Sequence, residues 1–130
     1  MSRLIVQIFL KFCSVGALAF IVDSLVFFFL LKLQEDIMIA RILAFWCAAT
    51  FTWLGNRLYT FKNQGISPKF KQWCRHMLSA HLSGGINLGV FWITLHYAPI
   101  YAAFVIGTSV GIASNYFFSQ KYVFINLAKK

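Results

Sequence analysis

Four long apolar runs govern what this chain can fold into: Phe12 to Leu31, Ile37 to Leu54, Met77 to Tyr97 and Ile100 to Phe118. As helices rising 1.5 Å per residue, each reaches across a hydrocarbon core of about 30 Å. Water is absent there, and a helix is the only open segment that satisfies its own backbone. Composition points the same way. The chain is 60% hydrophobic and only 12% charged, against about 25% charged in soluble domains. A retained membrane span suits the first run better than a cleaved leader. Ala17-Leu18-Ala19 has small residues, but Lys11 stands before the run and apolar sequence continues well past Ala19.

The net charge of +9 does not read as a nucleic-acid surface, because the cations sit at the ends of apolar runs. Arg3 and Lys11 precede the first run. Arg57, Lys62, Lys69, Lys71 and Arg75 lie between the second and third, and Lys121, Lys129 and Lys130 follow the fourth. Lys32 and Arg41 alone fall on the opposite side, beside Glu35 and Asp36. The positive-inside rule then puts both ends and the middle loop in the cytoplasm. Lys32 to Asp36 and the region of Pro99 become tight outer turns. The Tyr59 to Arg75 loop, with Gly65 and Pro68, interleaves Lys69, Phe70, Lys71 and Trp73 in a pattern suited to an anionic lipid surface. An ordinary solvated loop reads equally well.

The two halves echo each other. Thr52-Trp53-Leu54-Gly55-Asn56-Arg57-Leu58-Tyr59-Thr60-Phe61 shares a frame with Asn115-Tyr116-Phe117-Phe118-Ser119-Gln120-Lys121-Tyr122-Val123-Phe124, sixty-three positions later. At nearly the same shift Asp23, Phe27 and Phe28 fall on Asn87, Phe91 and Trp92, and Lys11 falls on Arg75. The expected fold is an all-α membrane four-helix bundle over residues 1–130, a single domain of two parallel two-helix repeats. In such proteins substrate sites tend to lie between repeats.

Polar residues inside the runs are the candidate site. Asp23 falls near the midplane, where an ionised carboxylate costs about 2.5–3.5 kcal/mol. Its repeat mate Asn87 continues a polar stripe with Ser83 and Ser79. Gly107 and Gly111, with Ala103, read as a close-packing face. Arg41 suits snorkelling or a phosphate at the outer face. Asn56 and Arg57 close the second run, and Asn115, Ser119, Gln120 and Lys121 close the fourth. Guanidinium and ammonium groups match phosphate, and amides match sugar hydroxyls. Cys13, Cys47 and Cys74 form no paired motif. His76, His81 and His96 lack metal-ligand spacing, and no Gly-rich phosphate loop occurs. No cofactor or enzymatic chemistry is expected.

These residues resemble the GtrA-like family of small four-helix membrane proteins. The likeness rests on Phe12 through Gly16 to Asp23, on Ala40-Arg41 with Leu43-Ala44-Phe45, on Asn56-Arg57-Leu58-Tyr59-Thr60-Phe61, and on Asn115-Tyr116-Phe117 through Tyr122-Val123-Phe124. Thr52 stands where that family usually has Asn, and Ser119-Gln120 where it usually has Asn-Arg. The resemblance implies flipping of a polyprenyl-phosphate-linked sugar across the inner membrane during cell-surface polysaccharide synthesis, beside a membrane glycosyltransferase. Arg57 and Lys121 would take the phosphate on the cytoplasmic side. Asn56 and Asn115 would meet the sugar or order the entry, Asp23 and Asn87 would line the crossing, and Arg41 would meet the phosphate outside. Membrane lipids and a second copy of the chain are expected partners. Two other readings remain open: a non-transporting recruiter of a glycosyltransferase, and a small proton-coupled multidrug exporter.

Overall fold

In apolar surroundings each backbone N–H must find a carbonyl within its own segment, and the computed structural model is accordingly all-helical among the described residues, 2–34, 36–62 and 68–124. Four α-helices follow in order: α1 (Ser2–Lys32), α2 (Ile37–Gly55), α3 (Lys69–Leu95) and α4 (Ile100–Phe118). A short π-helical segment continues α2 over Asn56–Thr60, and a second continues α4 over Ser119–Val123. The chain packs as two units, Met1–Gln64 and Gly65–Lys130. Glu35, Gly65, Lys129 and Lys130, used above to read loops and charge, lie outside the described residues.

Among the described residues two helices are long and apolar enough to cross a bilayer: Arg3–Lys32, with mean hydropathy 2.3, and Lys69–Leu95, with 1.2. Only 11% of the most apolar window of each is buried. The core helix of a soluble protein would hide most of that surface, whereas Phe20 (70% exposed) and Leu25 (66%) point outward. Several hydroxyls bond along their own helix. Ser14, Thr52, Thr94 and Ser114 each donate to the carbonyl four residues back, at 2.7–2.9 Å. His81 and His96 do the same through Nδ1, to Met77 at 2.7 Å and Trp92 at 2.9 Å.

Helix starts differ from the apolar runs. The first helix begins at Ser2 rather than near Phe12, because nothing in Ser2 to Lys11 breaks a helix that the apolar run continues. The third begins at Lys69, with Pro68 at its N-cap, so Lys69 to Arg75 is helix and not loop. At the α1–α2 turn Gln34 adopts a left-handed φ of 63°. Asp36 then caps α2, its Oδ1 accepting from the Ile39 N–H at 3.3 Å.

Within the first unit, α2 approaches α1 at Gly55. A Cβ built there would lie 2.7 Å from Val15 Cγ1. Phe61 returns to meet Phe12 edge-on, ring centroids 6.4 Å apart, and both are buried. Within the second, α4 approaches α3 at Gly107 and Gly111. A Cβ on Gly111 would lie 2.8 Å from Asn87 Cβ, and one on Gly107 would lie 3.0 Å from the Asn87 carbonyl and from Phe91 Cβ. Small residues here bring two backbones together, the usual adhesive of membrane helices.

Gly111→Ala should therefore lower stability by about 1–3 kcal/mol through overpacking. Gly16→Ala, where a Cβ meets nothing within 4 Å, should be neutral or stabilising by about 0.5–1 kcal/mol. Thermal unfolding in detergent micelles compares them. Asp36→Ala, by the same measurement, should cost about 1 kcal/mol as α2 loses its cap.

Candidate functional site

The two ten-residue frames close their helices in the same way. At the end of α2, the N–H of Phe61 donates to the carbonyl of Asn56 at 2.8 Å; at the end of α4, the N–H of Phe124 donates to that of Ser119, also at 2.8 Å. Each is a five-residue bond, one longer than α-helix spacing. Such wide turns recur at functional sites. In both segments the opening polar residue and the closing Phe are buried: Asn56 and Ser119 are 0% exposed, Phe61 2% and Phe124 1%.

The buried polar groups differ between the copies. Thr60 Oγ1 donates to Asn56 Oδ1 at 2.8 Å. At the matching position of the second segment stands Val123, which has no hydroxyl, and Ser119 Oγ has no hydrogen-bond partner among the described residues. Asn56 Nδ2 and Ser83 Oγ are likewise buried without a partner there.

The cations at these ends rest on aromatic rings. Arg57 is half-buried, its guanidinium 6.0 Å from the Trp53 ring centre. Lys11 of α1 lies 5.0 Å from the ring of Tyr59. Lys121 is exposed, its Nζ 5.4 Å from the Phe117 ring and 5.3 Å from that of Tyr122. Quadrupole attraction of this kind holds a cation beside apolar surface.

The remaining candidates sit elsewhere. Asp23 is half-buried on α1, twelve residues from Lys11 and so about 18 Å along the helix from the Lys11–Tyr59 contact. Asn87 stands the same distance along α3 from Arg75. Its backbone and side chain form the surface that Gly107 and Gly111 approach, so it packs α3 on α4. Asn115 Oδ1 accepts from Ser79 Oγ at 3.3 Å. The Ser79, Ser83 and Asn87 stripe thus lies toward α4. Arg41 belongs to α2, but its side chain lies outside the described ones. Among the described residues no His, Cys, Asp or Glu cluster is arranged to hold a metal.

Residues 11–124 match the family described as GtrA/DPMS, transmembrane domain. The chain belongs to that family. Membership makes it a membrane protein and assigns it a role in processes that handle polyprenyl-phosphate sugars. No curated protein matches the chain significantly. The family match begins at Lys11 and ends at Phe124, so it takes in both π-helical closures and the cations beside them.

Sequence reasoning missed two features. Thr60 partners Asn56 inside the motif, which a lone sequence reads only as a β-branched position. Arg75, counted as a loop cation, belongs to α3. Its repeat relation to Lys11 was the available signal.

Thr60→Val keeps the shape but strips Asn56 of its buried donor, and should cost about 1–3 kcal/mol. Ser119→Ala, which removes an unpartnered buried hydroxyl, should be neutral or slightly stabilising. Chemical unfolding of the two variants in micelles checks this contrast.

Proposed function

We propose that this member of the GtrA/DPMS family moves a polyprenyl-phosphate-linked sugar across the inner membrane. The observation that carries this reading is the end of α2. There Arg57 is held over Trp53 beside the fully buried Asn56, with outward-facing apolar helix on either side. A lipid of this class poses the matching problem. Its hydrocarbon chain stays in the bilayer, and only the phosphate and sugar require polar partners in crossing.

In this account each unit crosses the membrane twice, as one of two parallel repeats, with both ends and the middle loop in the cytoplasm. The charge distribution supports that topology. The shared closure of α2 and α4 supports the repeat. Arg57 and Lys121 receive the phosphate, while Asn56 and Asn115 meet the sugar. Asp23 and Asn87 serve near the midplane, consistent with their distance of about 18 Å along α1 and α3 from the cationic ends, and Arg41 meets the phosphate outside. A second copy of the chain completes the walls around the path, and a membrane glycosyltransferase supplies the substrate. No step in this account makes or breaks a covalent bond, so the protein acts as a transporter.

Arg57→Ala should reduce lipid movement per folded molecule about tenfold or more, as expected for losing a charge-assisted contact. Arg57→Lys should retain an intermediate rate, because the charge remains without the planar fork. Asp23→Asn should slow movement per folded molecule as well. The readout is transbilayer movement in proteoliposomes, normalised to folded protein. Rates equal to wild type in Arg57→Ala would remove the phosphate contact from this account, and a loss of yield alone in Asp23→Asn would make that residue structural.

A further inference from the structure

A groove of about 520 Å³ runs along the second unit, lined by Arg75, Leu78, Ser79 and Leu82 of α3 and by Phe118 and Tyr122 at the end of α4. The four α3 residues recur at helical spacing and form one stripe. The lining of the groove sets one guanidinium, Arg75, among the side chains of Leu78, Leu82, Phe118 and Tyr122. Ser79 bonds to Asn115, which sets the register of the two helices. Arg75 then lies toward the end marked by Tyr122, and Leu82 lies deeper. At the polar end Lys121 Nζ stands 5.3 Å from the Tyr122 ring. Arg75 makes no ion pair or hydrogen bond among the described residues. On the deeper side Leu78 and Leu82 are 63% and 51% exposed.

This is the complement of an amphiphile with one anionic head and one slender chain. Within the first unit the guanidinium of the closing turn is Arg57. The matching position of the second unit is Gln120, which carries no charge. Arg75 restores a guanidinium to that end from the neighbouring helix, level with Tyr122.

We propose that this groove docks a single-chain lipid phosphate of the polyprenyl-phosphate class. Arg75 takes the phosphate through its paired N–H donors, and the first part of the chain lies on Leu78, Leu82 and Phe118. The identity of the lipid rests on the function proposed above. The use of the groove rests on its own lining.

The test uses the full-length protein in phosphatidylcholine nanodiscs and a farnesyl phosphate probe carrying a photoreactive diazirine on its chain. Labelled positions are mapped by peptide mass spectrometry. Labelling of wild type is expected at Leu78, Leu82 or Phe118, outcompeted by polyprenyl phosphate but not by equal phosphatidylglycerol. Arg75→Gln should weaken the probe's apparent affinity about tenfold, and Arg75→Lys less. Because wild-type mapping requires no variant, a misfolded mutant does not blunt the test.

Labelling confined to residues before Gly65 would overturn the groove while leaving the transport reading intact. So would groove labelling that phosphatidylglycerol removes equally and Arg75→Gln leaves unchanged, since that describes ordinary boundary lipid. Arg75-dependent groove labelling in a protein that moves no lipid would uphold the groove and remove the flippase reading.

Discussion

Inside a hydrocarbon layer an unsatisfied backbone group costs several kcal/mol, and the organisation of this chain follows from that constraint. Along the helices each N–H finds the carbonyl a turn back. The hydroxyls of Ser14, Thr52, Thr94 and Ser114 and two histidine rings use such carbonyls too. Where α2 and α4 end, the last turn is wider, and the Phe61 and Phe124 N–H groups reach carbonyls five residues back within their own segments. The closing phenylalanines are buried as a result, and in the first unit Phe61 is carried onto Phe12.

Each closure has cations resting on aromatic rings: Lys11 and Arg57 in the first unit, Lys121 in the second. A guanidinium or ammonium group has the charge and N–H geometry that recognition of a phosphate on a lipid requires. Asp23 lies about 18 Å along α1 from Lys11, and Asn87 about the same distance along α3 from Arg75. Asn87 shows how packing and polarity combine: the residue that Gly107 and Gly111 approach is itself an amide. Deleting it as a polar group would therefore also disturb the contact that Gly107 and Gly111 make with α3.

Much of this was legible in the residues alone. The apolar runs locate all four helices, and two of these, α1 and α3, are long and apolar enough to cross a bilayer among the described residues. The frame around Asn56 and its echo around Ser119 mark the two places where the helices close in the same manner. The start of α1 at Ser2 was not legible, since helix continues for reasons of backbone geometry after the need for apolarity has stopped. Nor was the π-helical geometry, because one extra residue in a single turn leaves no period to detect. Arg75 looked like a loop charge because its importance depends on α4: only the register set by Ser79 and Asn115 brings Tyr122 and Phe118 beside it. Contacts between helices carry information that a list of spacings along one helix lacks.

The most direct test of the central claim is movement of a synthetic polyprenyl-phosphate hexose across liposomes holding the purified wild-type protein. The account predicts movement well above that in protein-free liposomes, scaling with the amount of folded protein. Folded protein that moves none of several such sugars, yet co-purifies with a glycosyltransferase, would contradict it and make the chain a recruiter.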